Sequence, residues 1–290
     1  MKNLLLIFAG LSIATFAARA QVSVEVVLDD EYFLPGEAIV ANVRISNLSG
    51  QVLKLGNASD WLEFNVESKD GLTVPVTGVP AVTGEFLLES ATTATKRVDL
   101  SPNFDLTVAG RYTIAATVRI AQWQSELTTK PKLFIVTSGK SLWQQEFGVP
   151  NPPGVTTPPE VRRYALQQAT HTKVKKLYVR ITDLAENRVF RVFAVGPMMN
   201  LTRPEPQVDR QSNLHLLFQT GARAFTYCVI NPDGQLIGRQ THDYTSSRPT
   251  LKVDAEGNIT VNGGARRLAA TDLPEPAKTS PATNVPSPKS

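Results

Sequence analysis

Cysteine and histidine are almost absent from this chain. Cys228 is the only thiol in 290 residues, so no internal disulfide can form. His171, His215 and His242 are separated by 44 and 27 residues and lack ligand-type neighbours at zinc spacing. A nucleophile elbow, a phosphate-binding loop, a dinucleotide fingerprint and an H-E-x-x-H pair are all missing, which excludes the motif-bearing hydrolases, nucleotide enzymes and metalloproteases. Aromatics make up 7% of the residues and do not interleave with the basic ones, so no base-stacking platform is present and nucleic acid is not an expected partner. No apolar run after residue 20 approaches the roughly 20 residues of a spanning helix. These patterns imply no catalytic residue and no cofactor.

What is present begins with an export signal. Lys2 supplies a positive start, residues 4–16 are apolar and small, and Ala18-Arg19-Ala20 is a processing site just before Gln21. The expectation is a protein cleaved after residue 20 and released into a periplasm or outside the cell.

From 21 to 138 the pattern is β. Val22-Ser23-Val24-Glu25-Val26 alternates with period two, Pro35-Gly36-Glu37 marks a turn into a strand over 38–46, and short strands follow at 52–55, 61–66, 72–76, 95–100, 112–120 and 132–137. Many short strands separated by turn residues predict an antiparallel sandwich. The stretch from Phe104 to Ile114, with Gly110-Arg111-Tyr112 at its centre, resembles the turn and penultimate strand of bacterial immunoglobulin-like and fibronectin-like modules. Leu34-Pro35-Gly36-Glu37 is similar to their first turn. The resemblance implies a tyrosine corner at Tyr112 and no particular activity. A small secreted sandwich of the proteinase-inhibitor type is a related alternative, with 75–84 as its protruding loop.

The composition shifts between 139 and 172. Asn151-Pro152-Pro153-Gly154 and Pro158-Pro159 cannot continue a ladder, because proline lacks the donor, so an interdomain linker is expected, with a short helix at 160–172. A second β domain is expected over 173–268, with strands near 174–182, 188–195, 214–219, 224–230 and 236–243 and two more around 251–253 and 259–261. Within it, Asp209 and Asn213 share the spacing D-x3-N with Asp254 and Asn258, 45 residues on. That period resembles a blade of a bacterial β-propeller repeat family. Two blades do not close a propeller, so either the sheet is small and twisted or closure needs other chains. Residues 269–290 are rich in Pro, Ala, Ser and Thr and read as a disordered tail.

Charge divides between the halves. Residues 21–138 carry 9 Lys+Arg against 14 Asp+Glu, net −5, and residues 139–290 carry 19 against 12, net +7. Opposite signs hold two domains together or steer each to a different partner. Three groups of residues are candidate sites. Asp29, Asp30 and Glu31, with Asp60 from another loop, form an acidic set suited to Ca²⁺. Arg162, Arg163, Lys173, Lys175 and Lys176 form a basic stretch suited to an anionic envelope polymer. Trp123 and Trp143 are the surface candidates for stacking a sugar, whereas Trp61 opens an apolar-alternating strand and belongs in the core.

The expected function is that of a non-enzymatic exported binding or structural protein, meeting an envelope or extracellular protein or polysaccharide, with sheet edges available for self-association. The alternatives are a carbohydrate-binding accessory module or a secreted proteinase inhibitor. A hydrolase is implied only if a pocket joins His215 or His242 to two carboxylates.

Overall fold

A computed structural model describes residues 22–80, 82–152 and 154–273. The export signal expected over 1–20 lies outside the described residues, as does the tail beyond 273.

Ten strands build the first sandwich: β1 (Val22–Leu28), β2 (Tyr32–Phe33), β3 (Val40–Asn47), β4 (Leu53–Leu55), β5 (Leu62–Ser68), β6 (Phe86–Leu88), β7 (Thr92–Asp99), β8 (Gly110–Ile120), β9 (Ser125–Thr128) and β10 (Lys132–Val136). One sheet has the order β1-β3-β7 and the other β2-β10-β8-β5, with β9 also on β8 and β4 pairing β6 as a separate ribbon. The pairing is antiparallel except between β2 and β10, which run parallel. Period-two alternation decides which side faces in: Ala41, Val43 and Ile45 of β3 meet Tyr112, Ile114, Ala116 and Val118 of β8 in one buried core. Trp61 lies within it and donates its indole N–H to Val82 O at 2.7 Å. The Tyr112 hydroxyl donates to Val108 O four residues upstream at 2.7 Å, a tyrosine corner. The strand expected at 72–76 is reduced to a single bridge between Val76 and Phe104.

The second domain is also a sandwich, and it begins earlier than the sequence suggests. β11 (Lys140–Gly148), β12 (Val161–His171), β13 (Val174–Asp183) and β14 (Val189–Pro197) form one antiparallel sheet in that order. The helix expected at 160–172 is therefore a strand: Tyr164 and Leu166 point into the core two residues apart, a strand period and not a helical one. The proline-rich segment is not the interdomain linker. It is the loop of the β11–β12 hairpin, and the chain crosses between domains over 137–139 alone.

β15 (Glu205–Val208), β16 (Leu214–Gln219), β17 (Ala224–Ile230), β18 (Leu236–Asp243) and β21 (Ala265–Arg267) form the facing sheet in that order, and β19 (Thr250–Val253) pairs with β20 (Ile259–Asn262) as a separate hairpin. Leu214, Leu216, Phe218, Cys228 and Ile230 pack inward against Tyr164, Leu177, Val179 and Ile181. Leu217, Phe225, Tyr227 and Val229 point outward and are covered by Leu251 and Ile259 of the hairpin. The domain is thus three layers deep, and every residue of β16 is buried.

No closed propeller occurs among the described residues, and the D-x3-N repeat has a local cause. Asp209 N–H bonds to Asn213 O, Asn213 N–H bonds to Asp209 Oδ1, and Ser212, at φ 65°, donates to Asp209 O. Asp254–Asn258 repeats this with Gly257 at φ 85°, and Asn231–Gln235 repeats it with Gly234 at φ 77°. These are the turns of the β15–β16, β19–β20 and β17–β18 hairpins, closed by an Asx acceptor and one left-handed residue. Residues 269–273 are ordered along β18, where Leu273 N–H bonds to Arg239 O and Thr241 Oγ1 donates to Asp272.

The tyrosine corner is testable. Tyr112→Phe keeps the ring stacked on Phe134 and loses one hydrogen bond, so urea unfolding should show a loss of about 1 kcal/mol. No loss would mean that the corner contributes nothing.

Candidate functional site

A cluster of titratable groups lies where the two sandwiches meet. Leu34-Pro35-Gly36-Glu37 forms a tight turn in which Glu37 N–H bonds to Leu34 O at 3.0 Å, with Pro fixing the second position and Gly36 at φ 83° in the third. A Cβ on Gly36 would also meet Val189 Cγ1 of β14 at 3.1 Å, so the left-handed conformation favours glycine and the space is tight as well. Leu34, 1% exposed, seats on the outer face of the β11–β14 sheet among Ala169, Tyr178, Val189 and Val192.

Polar groups ring this knob. Lys176 of β13 pairs with Asp30, Arg180 donates to Pro35 O at 2.8 Å, and Tyr32 stacks on His171 with ring centroids 5.1 Å apart. His171 Nε2 bonds to the Tyr178 hydroxyl at 3.1 Å, while its buried Nδ1 has no hydrogen-bond partner. Burial first, then the Lys176 ammonium, hold the imidazole below its ordinary value, with Asp30 opposing them. Asp30 is held below the usual carboxylate range because bonds from Lys176 and from the backbone outweigh its burial.

Glu37 is half-buried and accepts Leu34 N–H on Oε2 at 2.8 Å. Burial pushes its carboxyl up to about 7, with Asp30 adding to the rise. It lines a cavity of about 230 Å³ together with Thr77, Ser101, Phe104 and Leu106, all residues of the first sandwich.

The other histidines are held by structure. His215 bridges Asp209 at 3.0 Å and the Tyr227 hydroxyl at 2.6 Å beneath the β19–β20 hairpin, so it meets one carboxylate and not two. His242, expected at the surface, is buried and bonds Gln240 Oε1 at 3.2 Å. Cys228 sits in the core, where burial pushes its thiol up to about 12.

The structure separates the acidic set proposed for Ca²⁺. Asp29 pairs with Arg97, Asp30 with Lys176, Glu31 with Lys132 and Asp60 with Arg119, so each carboxylate already has a cation. No metal-competent cluster occurs among the described residues. The basic stretch is likewise divided: Arg162 pairs with Glu160 and Asp233, Arg163 with Glu146 and Glu186, Lys175 bonds Asn200, Lys176 belongs to the seam, and Lys173 sits in the exposed β12–β13 turn. Side chains alternate across β12 and β13, which sends neighbouring cations to opposite sides.

Trp143 packs against the second core, whereas Trp123 is 37% exposed on a one-turn 3-10 segment, Ala121–Trp123, after β8. The Gln122 side chain ties that turn to the β4–β6 ribbon by accepting from Lys54 N–H at 2.7 Å and donating to Val52 O at 3.5 Å. Val52 and Leu87 stand exposed on this ribbon at 41% and 64%. Val52, Leu87 and Trp123 are thus exposed on adjoining elements at one end of the first sandwich, with the Lys54–Glu85 ion pair on the same ribbon. The sequence pointed to both Trp123 and Trp143, and of the two only Trp123 is exposed.

No family profile matches the chain, and no curated protein matches it in sequence. Among solved structures the chain is similar to Spo0M, a sporulation control protein from Bacillus subtilis, at 10% identity and a TM-score of 0.29, over 58% of this chain and 82% of that one. No helix of the described residues is long and apolar enough to cross a membrane.

Two measurements probe these environments. Glu37→Gln keeps the acceptor for Leu34 N–H and removes the ionisation. A raised carboxyl contributes stability that is complete below its ordinary 4.5 and is lost as pH rises through about 7. The variant should therefore match the wild type near pH 4 and exceed it by about 2 kcal/mol at pH 8, after discounting for partial exposure. A thiol reagent at neutral pH should leave Cys228 unlabelled in the folded chain and label it fully in denaturant; rapid native labelling would contradict its burial.

Proposed function

We propose that this is a non-enzymatic exported protein that works by contact, with the Val52–Leu87–Trp123 end of the first sandwich as its contact surface. The partner is an envelope or extracellular protein or polysaccharide. The observation that carries this reading is the exposure of three large apolar side chains on the β4–β6 ribbon, its entry and an anchored turn, where a partner surface gains apolar burial. The reading is also supported by how the reactive side chains are used: the three histidines and Cys228 are buried within the fold, and a cavity of about 460 Å³ is an open groove along β7 lined by Lys96, Arg97, Asp99 and Asn103. The immunoglobulin-like character suggested by the Tyr112 corner suits such a use, because these modules present loops and edges to partners.

The test uses the mature chain from Gln21 as bait against a native envelope fraction and against purified envelope polysaccharide, beside the double variant Leu87→Ser, Trp123→Ala. Both substitutions are at the surface, so melting should move little. Retention by the wild type that falls at least tenfold in the variant supports the reading. Equal retention by both places the contact elsewhere, and no retention by either removes the proposal.

A further inference from the structure

We propose that the seam between the sandwiches is an acid-released latch: the Leu34 turn stays seated on the β11–β14 sheet while His171 is neutral and unseats when His171 is protonated. This does not depend on the partner class proposed above.

The geometry that carries it is the placement of His171. Its ring is covered by Tyr32 from the first sandwich, its Nε2 is engaged by Tyr178 on the neighbouring strand, and its Nδ1 is enclosed without an acceptor. A second proton would put a charge into this space with no hydrogen-bond acceptor at one nitrogen. The charges that act on it are Lys176 and Asp30, and the other titratable groups of the seam lie around them. From β13 come Lys176, Tyr178 and, one pair further along, Arg180; from the first sandwich come Asp30, Tyr32 and, behind the turn, Glu37. The Lys176 ammonium opposes the imidazolium, and Asp30 is already taken by Lys176.

The partners of His171 divide so that unseating frees it. Tyr32 and Asp30 belong to the first sandwich, whereas Tyr178 and Lys176 are on its own sheet. Opening the seam removes Tyr32 and lets water reach the ring. Glu37 behaves differently, because the cavity it lines is built from the first sandwich alone and travels with it. Its carboxyl also feels the Lys176 ammonium across the seam and acts on Tyr178, so Glu37→Gln, which removes that ionisation, should still open at the pH of the wild type. The connection at 137–139 adjoins the seam, with Gly139 within 3.2 Å of Leu34 Cδ1 and 3.1 Å of Gln167 for an added Cβ, so unseating Leu34 frees the hinge as well.

Seating lowers the proton affinity of the imidazole, so the open form binds more protons, and the seated form loses ground as pH falls below 6.5. The open-to-seated ratio should rise by up to tenfold per pH unit below that point.

Small-angle scattering of the full mature chain from pH 8 to pH 5 reads this directly, with circular dichroism confirming that both sandwiches stay folded. The wild type should elongate reversibly at about pH 6 or below. His171→Phe, which keeps the ring stacked on Tyr32, should stay compact throughout, and His171→Gln serves if the first variant does not fold. Leu34→Asp, which places a charge in the apolar seat, should be elongated already at pH 8. A wild type that stays compact to pH 5 while Leu34→Asp is elongated overturns the proposal. So does a His171 variant that opens at the same pH as the wild type.

Discussion

The relation between the two halves of this protein rests on one small apolar contact, the seating of Leu34 against Ala169, Tyr178 and Val192. Two β-sandwiches joined by three residues have no inherent orientation. A turn whose conformation is fixed by proline, glycine and the Glu37 carboxylate supplies one by pushing a single leucine into a sheet face. The charges around it act at close range, where the Asp30–Lys176 pair and the Arg180 bond to Pro35 O set the register of the docking. The opposite net charges of the halves thus meet at a defined place, and the carboxylates that looked free in the sequence are largely spent on pairing.

Much of the fold is readable from alternation alone. β1, β3, β8 and β10 follow their period-two patterns, β13, β14 and β16 to β20 lie where strands were expected, β15 and β21 were not expected, and the Gly110-Arg111-Tyr112 step marks a real corner. What misleads is proline. The run from Asn151 to Pro159 breaks a ladder as firmly as a linker does, but here it closes a long hairpin, and β12 hid because its outward face carries arginine and glutamine opposite an inward Tyr164 and Leu166. The D-x3-N spacing was visible, yet its meaning required the third member, Asn231 to Gln235, where asparagine stands for aspartate and the spacing is the same. With that member the repeat counts hairpins, not blades.

The candidate site was less readable, for a physical reason. Asp30, Lys176 and His171 were each visible as residues, but their juxtaposition is set by docking between strands that are distant in sequence, and no local pattern encodes it. Exposure was equally hidden: Trp143 and Trp123 have similar surroundings in sequence, and only the tie from Gln122 to the β4–β6 ribbon shows which one remains at the surface beside Val52 and Leu87. Residue type identifies groups able to do chemistry, but burial decides whether they are free to do it.

The hairpin turns bear on the order in which the chain acquires structure. In the C-terminal layers β15 through β20 pair with the next strand in sequence or nearly so, across turns of three residues that close themselves. The N-terminal sandwich depends on remote partners: Tyr32 must find Ile135 and Val40 must find Asp99 before either sheet is complete. Loop-closure entropy makes the remote pairings slow and the adjacent ones fast. A chain emerging from its N-terminus therefore holds its first sandwich open until β10 appears, while the later hairpins form almost as they arrive. Refolding should be biphasic in character, with the part made first being the part finished last.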